Sequence, residues 1–441
     1  MVFGDPLLRT LLTVAPICDR DLERFLTAAR SALIAQALAG GAAPDDALAF
    51  WCALARQCFI NEYVFMQDAG EAEAAERLRR SVADAASSGG DIAPLTLAAA
   101  GTCFPLHALL NAGALLDRSW PEPVRGLLTV QVREPIEEAA DRTAIPALTA
   151  IDDTVSTAVR DQYEENPYPR WIETPAPTAF GSFGNYLRAA LPWTDIRAEA
   201  REFLVAGCGT GQHAIDVALR TKDARVLAID LSRTSLAYAR RKTRAMGVAN
   251  IDYAQADILR AGEIARSFDV IESGGVLHHL HDPWAGGRAL NSLLRPGGFL
   301  FLGLYSERGR AAVAAARAFI AERGYAATAD GIRRFRQDVT SAGLPLGNLL
   351  TSPDFFSLSG CRDLFFNVQE HRLSLPQIKT FLRDTGLEFL GFHLDAPALA
   401  EFRRRHPQPE ALTDLDCWHA YEADNPRAFA TMYQFWARKP G

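Results

Sequence analysis

The chain has 441 residues, 49% hydrophobic and 22% charged, which excludes disordered and fibrous classes. That length exceeds what one compact core fills and implies two or three domains. With 46 Lys and Arg against 53 Asp and Glu, the net charge of −7 argues against dedicated nucleic-acid binding, which needs a concentrated positive surface.

Seven cysteines, Cys18, Cys52, Cys58, Cys103, Cys208, Cys361 and Cys417, lie far apart. An odd number without a CxxC pair argues against a disulfide scaffold or a zinc ribbon. The first sixteen residues carry Asp5 and Arg9 and lack the pattern of a signal peptide. Ile92–Leu116 holds no charge, yet Pro94, Pro105, His107 and Asn111 interrupt it. Two buried helices broken at Gly101-Thr102-Cys103 are expected there rather than a membrane span, and a cytoplasmic location follows as an expectation.

From Asp19, Leu22, Phe25, Leu26, Ala29 and Leu33 recur at spacings of three and four, one stripe of a helix. Pro44-Asp45-Asp46 opens a second helix carrying Leu48, Trp51, Cys52, Leu54, Ala55, Cys58 and Phe59. A charged helix over about Glu71–Ala86, the uncharged pair, and a helix over Val124–Ala140 follow. Residues 1–150 therefore read as an all-α domain, its helix pairs suggesting a tetratricopeptide-like array without a clean repeat.

At Asp161-Gln-Tyr-Glu-Glu-Asn-Pro-Tyr-Pro-Arg-Trp171 the grammar changes, because Pro167 and Pro169 end a helix and force an extended segment. Pro175 and Pro177 follow, and a second domain is placed at 151–441. From Phe203–Ala206 onward, strands alternate with helices. Gly207-Cys208-Gly209-Thr210-Gly211 turns into a helix, and Val226–Ile229 ends in Asp230. Ser232–Met246 is helical, Ile251–Asp257, Phe268–Ile271 and Phe299–Leu302 are strands, and Glu388–Phe392 and Thr431–Trp436 are two more. The pattern predicts an α/β, doubly wound, Rossmann-like parallel sheet.

In such a sheet a ligand lies over the carboxyl ends of the strands. Glycines at 207, 209 and 211 let the main chain pass close to it. Asp230, 19 residues beyond Gly211, is placed to accept from both hydroxyls of an unphosphorylated ribose. The dinucleotide fingerprint G-x-G-x-x-G is not met, since Gln212 stands where its third glycine would be.

G-x-G-x-G with Asp230, Ala256-Asp257-Ile258, Gly274-Gly-Val-Leu-His-His-Leu-His-Asp-Pro283 and Arg295-Pro-Gly-Gly298 resembles the class I S-adenosylmethionine-dependent methyltransferases. The QYEENPYPRW segment resembles bacterial members with an N-terminal helical or tetratricopeptide-like region. The resemblance implies a seven-stranded sheet, S-adenosylmethionine as cofactor, and a helical insertion around 306–375. It implies a cofactor site made by Gly207, Cys208, Gly209, Gly211, Gln212, Asp230, Leu231, Asp257, Ile258, Ser273 and Gly274. The N–H groups of Gly209 to Gln212 would take the methionine carboxylate and Asp257 the adenine amino group. Tyr163, Asn166 and Tyr168 would form a lid, and His278 would sit beside the methyl group. The acceptor would be an unidentified protein side chain or small metabolite with an N, O or C nucleophile, recognised by the N-terminal helices, which would alternatively make a homodimer.

Blander readings stand beside these. His278, His279 and His281 would be metal ligands, a polar contact or base, or simply a helix start. Cys208 fits its turn by being small. Tyr163 and Tyr168 would otherwise pack a joint. Ser359–Asp363 and Gln369–Arg372 would bind substrate, and the pairs Phe355-Phe356 and Phe365-Phe366 would line a pocket or fill a core. Arg333, Arg334 and Arg336 would be a solvated helix face or an acidic-substrate patch. A non-catalytic cofactor- or partner-binding module and a nicotinamide oxidoreductase are the competing functions, the latter predicting stabilisation by NAD.

Overall fold

The computed structural model describes residues 2–174, 178–194, 199–221 and 223–441, so Pro175 and Pro177 lie outside the described residues. The chain divides into two compact units. One comprises Met1–Ala140, Tyr168–Thr174 and Ala315–Phe366, and the other comprises Asp141–Pro167, Pro175–Ala314 and Asn367–Gly441. The division expected at residue 150 assigns the whole of 306–375 to the second domain, whereas the compact units group 315–366 with the first helices.

The first unit is helical. Asp5, Asp19 and Asp68 cap the helices Pro6–Val14, Arg20–Leu38 and Ala69–Ser88 by accepting backbone N–H bonds. Asp45–Ile60 is buried along most of its length and forms the centre of the unit. The expected break at Gly101-Thr-Cys is displaced: the helix Pro94–Cys103 runs through it and stops at Phe104, which is extended because Pro105 follows. Gly101 is instead a contact point, where a Cβ would stand 3.3 Å from that of Ala55. Beyond it come only two 3-10 turns, Leu106–Ala108 and Ala112–Leu115, in place of the second helix.

The helix expected over Val124–Ala140 is interrupted too. Glu122–Leu128 and Glu134–Ala144 are joined by a π-turn at Thr129–Arg133, as Pro135 withholds the N–H an α-turn would need. The turn drives Gln131 inward, fully buried. Its Nε2 donates to the carbonyls of Ala55 and Gly101, each at 2.9 Å, and its Oε1 accepts from Leu106 N at 3.2 Å. One side chain thus bonds to three segments. Among the described residues no helix is long and apolar enough to cross a membrane.

Arginines do similar work. Arg336, in the helix Ala329–Ser341, is buried, pairs with both carboxylate oxygens of Glu23 at 3.0 and 2.7 Å, and donates to the carbonyls of Val64 and Phe355. Arg333 donates to the carbonyl of Tyr63 at 2.6 Å. Arg333 and Arg336 thus tie segments of the unit together, while Arg334, the third of the run, is exposed. Phe355, Phe356, Phe365 and Phe366 are buried as core.

The second unit is built on seven strands: β1 (Glu202–Ala206), β2 (Arg225–Asp230), β3 (Ile251–Gln255), β4 (Phe268–Gly274), β5 (Leu294–Leu304), β6 (Glu388–Phe392) and β7 (Tyr433–Arg438). Their order is β3-β2-β1-β4-β5-β7-β6, with β1 to β5 parallel and β7 antiparallel to both neighbours. Side chains alternate between two cores. Leu204 and Ala206 enter one with Leu227, Ile229 and Ile271, while Phe203 and Val205 enter the other with Val226, Ala228 and Val270. The order reverses between β1 and β4, which opens a crevice at their carboxyl ends.

Replacing Arg336 by Met should lower the stability of the helical unit by about 1–3 kcal/mol, since it leaves the carbonyls of Val64 and Phe355 and the half-buried Glu23 without their donor. A urea denaturation curve followed by circular dichroism measures this, and an unchanged midpoint would contradict the tie.

Candidate functional site

The glycine turn sits where β1 meets the helix Gln212–Arg220, at the reversal of the sheet order. The N–H groups of Gly207 and Cys208 both donate to Ile229 O, at 2.8 and 3.0 Å, folding the turn against the end of β2. Two of its glycines are demanded by the protein itself. At φ +75° a Cβ on Gly207 would stand 2.4 Å from Val276, and at φ +85° one on Gly211 would stand 2.5 Å from that of Ala239. Close approach to a ligand is therefore not what selects glycine at these two positions. Cys208 is buried, and burial pushes its thiol well above the usual range, so it is no thiolate nucleophile.

Asp230 ends β2 and holds the turn. Its Oδ2 accepts from Gly209 N at 2.8 Å and its Oδ1 from Ser232 N at 2.9 Å. Burial raises its pKa, and these two N–H donors offset that only in part. Gly209 N–H is thus engaged by Asp230, and Gly211 N–H by Cys208 O at 2.9 Å, which removes both from the set expected for a carboxylate. Leu231 follows, half-buried, its carbonyl accepting from Gln255 Nε2 at 2.8 Å.

Asp257, beyond β3, is buried and caps the 3-10 turn Ile258–Glu263 through Oδ1, while Ile258 packs into the core. Its Oδ2 has no donor of good hydrogen-bonding geometry. Burial raises this carboxyl as well, with the Leu259 N–H and the Ser156 hydroxyl working against it. At the end of β4, Ser273 donates to Ala206 O at 3.0 Å, tying β4 to β1, and Gly274 closes the strand.

Of the expected catalytic residues, His278 and Tyr163 both meet the segment 367–371 of the same unit. His278 is fully buried, stacked on Tyr305 with ring centroids 3.6 Å apart, and burial holds its pKa well below the usual imidazole value. Its Nδ1 accepts from Tyr305 N at 3.3 Å, and its carbonyl from His371 N at 2.8 Å. Its Nε2 is buried without a hydrogen-bond partner among the described residues. His279 is anchored by Gln369 O at 2.6 Å. Tyr163 and Tyr168 fall in different compact units. The Tyr163 hydroxyl accepts from Asn367 Nδ2 at 3.1 Å, and that of Tyr168 donates to Asp354 at 3.0 Å. Asn166 caps the helix Thr154–Glu165.

Glu164 is the residue of that segment with the most direct bearing on the site. Its carboxylate takes the N–H groups of Arg233 and Thr234 and the Thr234 hydroxyl, capping the helix Arg233–Ala245 that starts just after Asp230.

A second cluster lines a cleft of about 480 Å³ bounded by Phe180, Tyr186, His213, Gly274, Phe301 and Met432. Glu272 of β4, 1% exposed, pairs with Arg220 and with His213 Nε2 at 2.7 Å. Arg220 also pairs with Asp216 at 3.4 Å and lies 4.0 Å over the Tyr186 ring. Burial works against ionising Glu272, but the Arg220 charge and the His213 hydrogen bond outweigh it and hold the carboxyl at about 2. The sequence carries one signal for this pair: an acid within the otherwise apolar β4 is costly unless a cation meets it.

A carboxyl depressed from 4.5 to about 2 confers stability that is complete above pH 4.5 and lost as pH falls toward about 2. The amount is about 3 kcal/mol. Urea midpoints measured from about pH 7 down to about pH 3 should fall. In Glu272→Gln the neutral-pH midpoint should be lower and this part of the acid slope absent.

The family model described as a methyltransferase domain matches residues 203–298. An uncharacterized protein of Synechococcus is 30% identical over 267 residues, 57% of this chain and 63% of that protein. A ubiquinone biosynthesis O-methyltransferase of Acinetobacter baumannii is 35% identical over 115 residues, 25% of this chain and 48% of that enzyme. The chain thus spans less than two thirds of the length of these curated relatives. Among solved structures, PKMT2 from Rickettsia typhi is similar at a TM-score of 0.46 and 17% identity, over 60% of this chain and 54% of that one. Within the chain, residues 203–298 are thus similar to a methyltransferase domain.

Proposed function

We propose that the protein transfers a methyl group from S-adenosylmethionine to a nucleophile of an acceptor. The observation that carries this reading is the pair of carboxylates at the ends of neighbouring strands, Asp230 half-buried at the end of β2 and Asp257 buried just beyond β3. Asp230 keeps lone pairs for the ribose hydroxyls beyond the two N–H groups it already accepts, and Asp257 Oδ2 is buried without a well-placed donor. An adenine amino group supplies what Asp257 lacks. Gly207, Cys208, Gly211, Gln212, Leu231, Ile258, Ser273 and Gly274 complete the cradle. The bound sulfonium supplies an activated methyl group and a good leaving group. The chain's residues therefore have to orient donor and acceptor in line and exclude water, which is where most of the rate would come from.

The acceptor is a small metabolite or a protein side chain, and the methylated atom is nitrogen, oxygen or carbon. The O-methyltransferase relative supports oxygen, over the 115 residues it shares. The helical unit is assigned to acceptor recognition or to a homodimer contact. No observation favours a binding module without catalysis.

S-adenosylmethionine should raise the denaturation midpoint of the chain and NAD should not, because only a ligand of the folded state stabilises it. Asp230→Ala should weaken S-adenosylhomocysteine binding about tenfold to a hundredfold, the loss of charge-assisted hydrogen bonds. Calorimetry measures both, and unchanged affinity in the variant would remove the ribose role.

A further inference from the structure

The cleft beside the glycine turn contains groups that cofactor binding does not use. His213 directly follows Gln212, and Gly274 ends β4, so the cleft and the crevice share the carboxyl ends of β1 and β4. An ionised carboxylate only accepts, so Glu272 requires the N–H of His213 to sit on Nε2. The lone pair is then on Nδ1, which lies 4.0 Å from the position a Cβ would take on Gly274. Among the described residues none donates to Nδ1.

Resting on the proposed methyl transfer, we infer that His213 is its general base, that Glu272 positions its ring, and that the cleft takes a neutral aromatic hydroxyl as acceptor. The lining argues for that class. Phe180, Tyr186 and Phe301 offer ring faces and Met432 a thioether. Arg220, the cation of the cleft, is met by Glu272 and Asp216, so no positive charge is left over for an anionic acceptor. A hydroxyl also needs what His213 offers, since it is a poor nucleophile until its proton is removed.

The step balances. The acceptor O–H proton passes to Nδ1 while its oxygen attacks the methyl carbon. The O–C bond forms as the C–S bond breaks, the sulfur leaves as the neutral thioether of S-adenosylhomocysteine, and the imidazolium later releases its proton to water. Glu272, buried and ionised, stabilises that imidazolium as the carboxylate of a catalytic triad does.

The test uses the full chain saturated with S-adenosylhomocysteine and 4-nitrophenol as the probe, whose phenolate is coloured. The wild type should bind the dye and ionise it at a pH about one unit below that of the free dye, as an imidazolium partner requires. His213→Gln should abolish this shift and weaken dye binding about tenfold while S-adenosylhomocysteine affinity is retained. Glu272→Gln, which still accepts the Nε2 hydrogen bond but carries no charge, should return the ionisation toward that of the free dye. A purely structural role would leave that pH unmoved. Absence of dye binding to the wild-type complex, or an equal shift in His213→Gln, overturns the inference and leaves the cofactor reading intact. Failure of S-adenosylhomocysteine itself to bind removes both.

Discussion

The site depends on one carboxylate bridging two turns. Asp230 accepts from Gly209 in the turn after β1 and from Ser232 in the turn after β2, so two loops that share no sequence are held as one edge of the crevice. Desolvating a carboxylate is costly, and the raised pKa of Asp230 measures that cost against the two donors that offset it. The arrangement is preorganised rather than induced. Ser273 on Ala206 and Glu164 on the start of the helix Arg233–Ala245 extend the same logic to the other walls. Each closes a strand or helix end with a side chain, so the backbone around the crevice carries few loose polar groups.

Glu272 shows a different balance. It is as buried as the apolar residues around it, yet it is held ionised rather than neutral, because Arg220 and His213 both face it. Burial raises both carboxyls; at Glu272 the facing Arg220 and His213 outweigh it, whereas at Asp230 the backbone donors offset it only in part and Glu164 adds to it. A fully charged acid next to an imidazole is useful for moving protons. A carboxylate flanked only by N–H groups is useful for holding hydroxyls.

In the helical unit buried polar side chains take the part that the sheet ladder plays elsewhere. Gln131 bonds to three segments, Arg336 to a carboxylate and two carbonyls, and Arg30 to the Met66 carbonyl together with Glu71. Apolar packing is non-directional, so these hydrogen bonds define which helix faces which. They also explain why Arg333 and Arg336, which read on sequence as a surface run, are inside: each finds backbone carbonyls at segment ends that water cannot reach.

The local elements were legible in the chain because their causes are local. Apolar runs marked β1, β2 and β5, the G-x-G-x-G turn marked the reversal point, and Asp230 announced itself by ending β2, with Asp257 just beyond β3. Aspartate caps marked helix starts, while the stop at Phe104, the two 3-10 turns that replace a second uncharged helix and the π-turn at Thr129–Arg133 displaced helix limits. What no local pattern encodes is long-range pairing. That Glu272 would meet Arg220 and His213, that His278 would be sealed against Tyr305, and that residues 315–366 would cluster with the first helices depend on contacts between segments tens to hundreds of residues apart. Sequence periodicity records which face of an element is apolar. Only the folded chain decides which partner that face meets, and the charge and burial of each polar side chain follow from the partner.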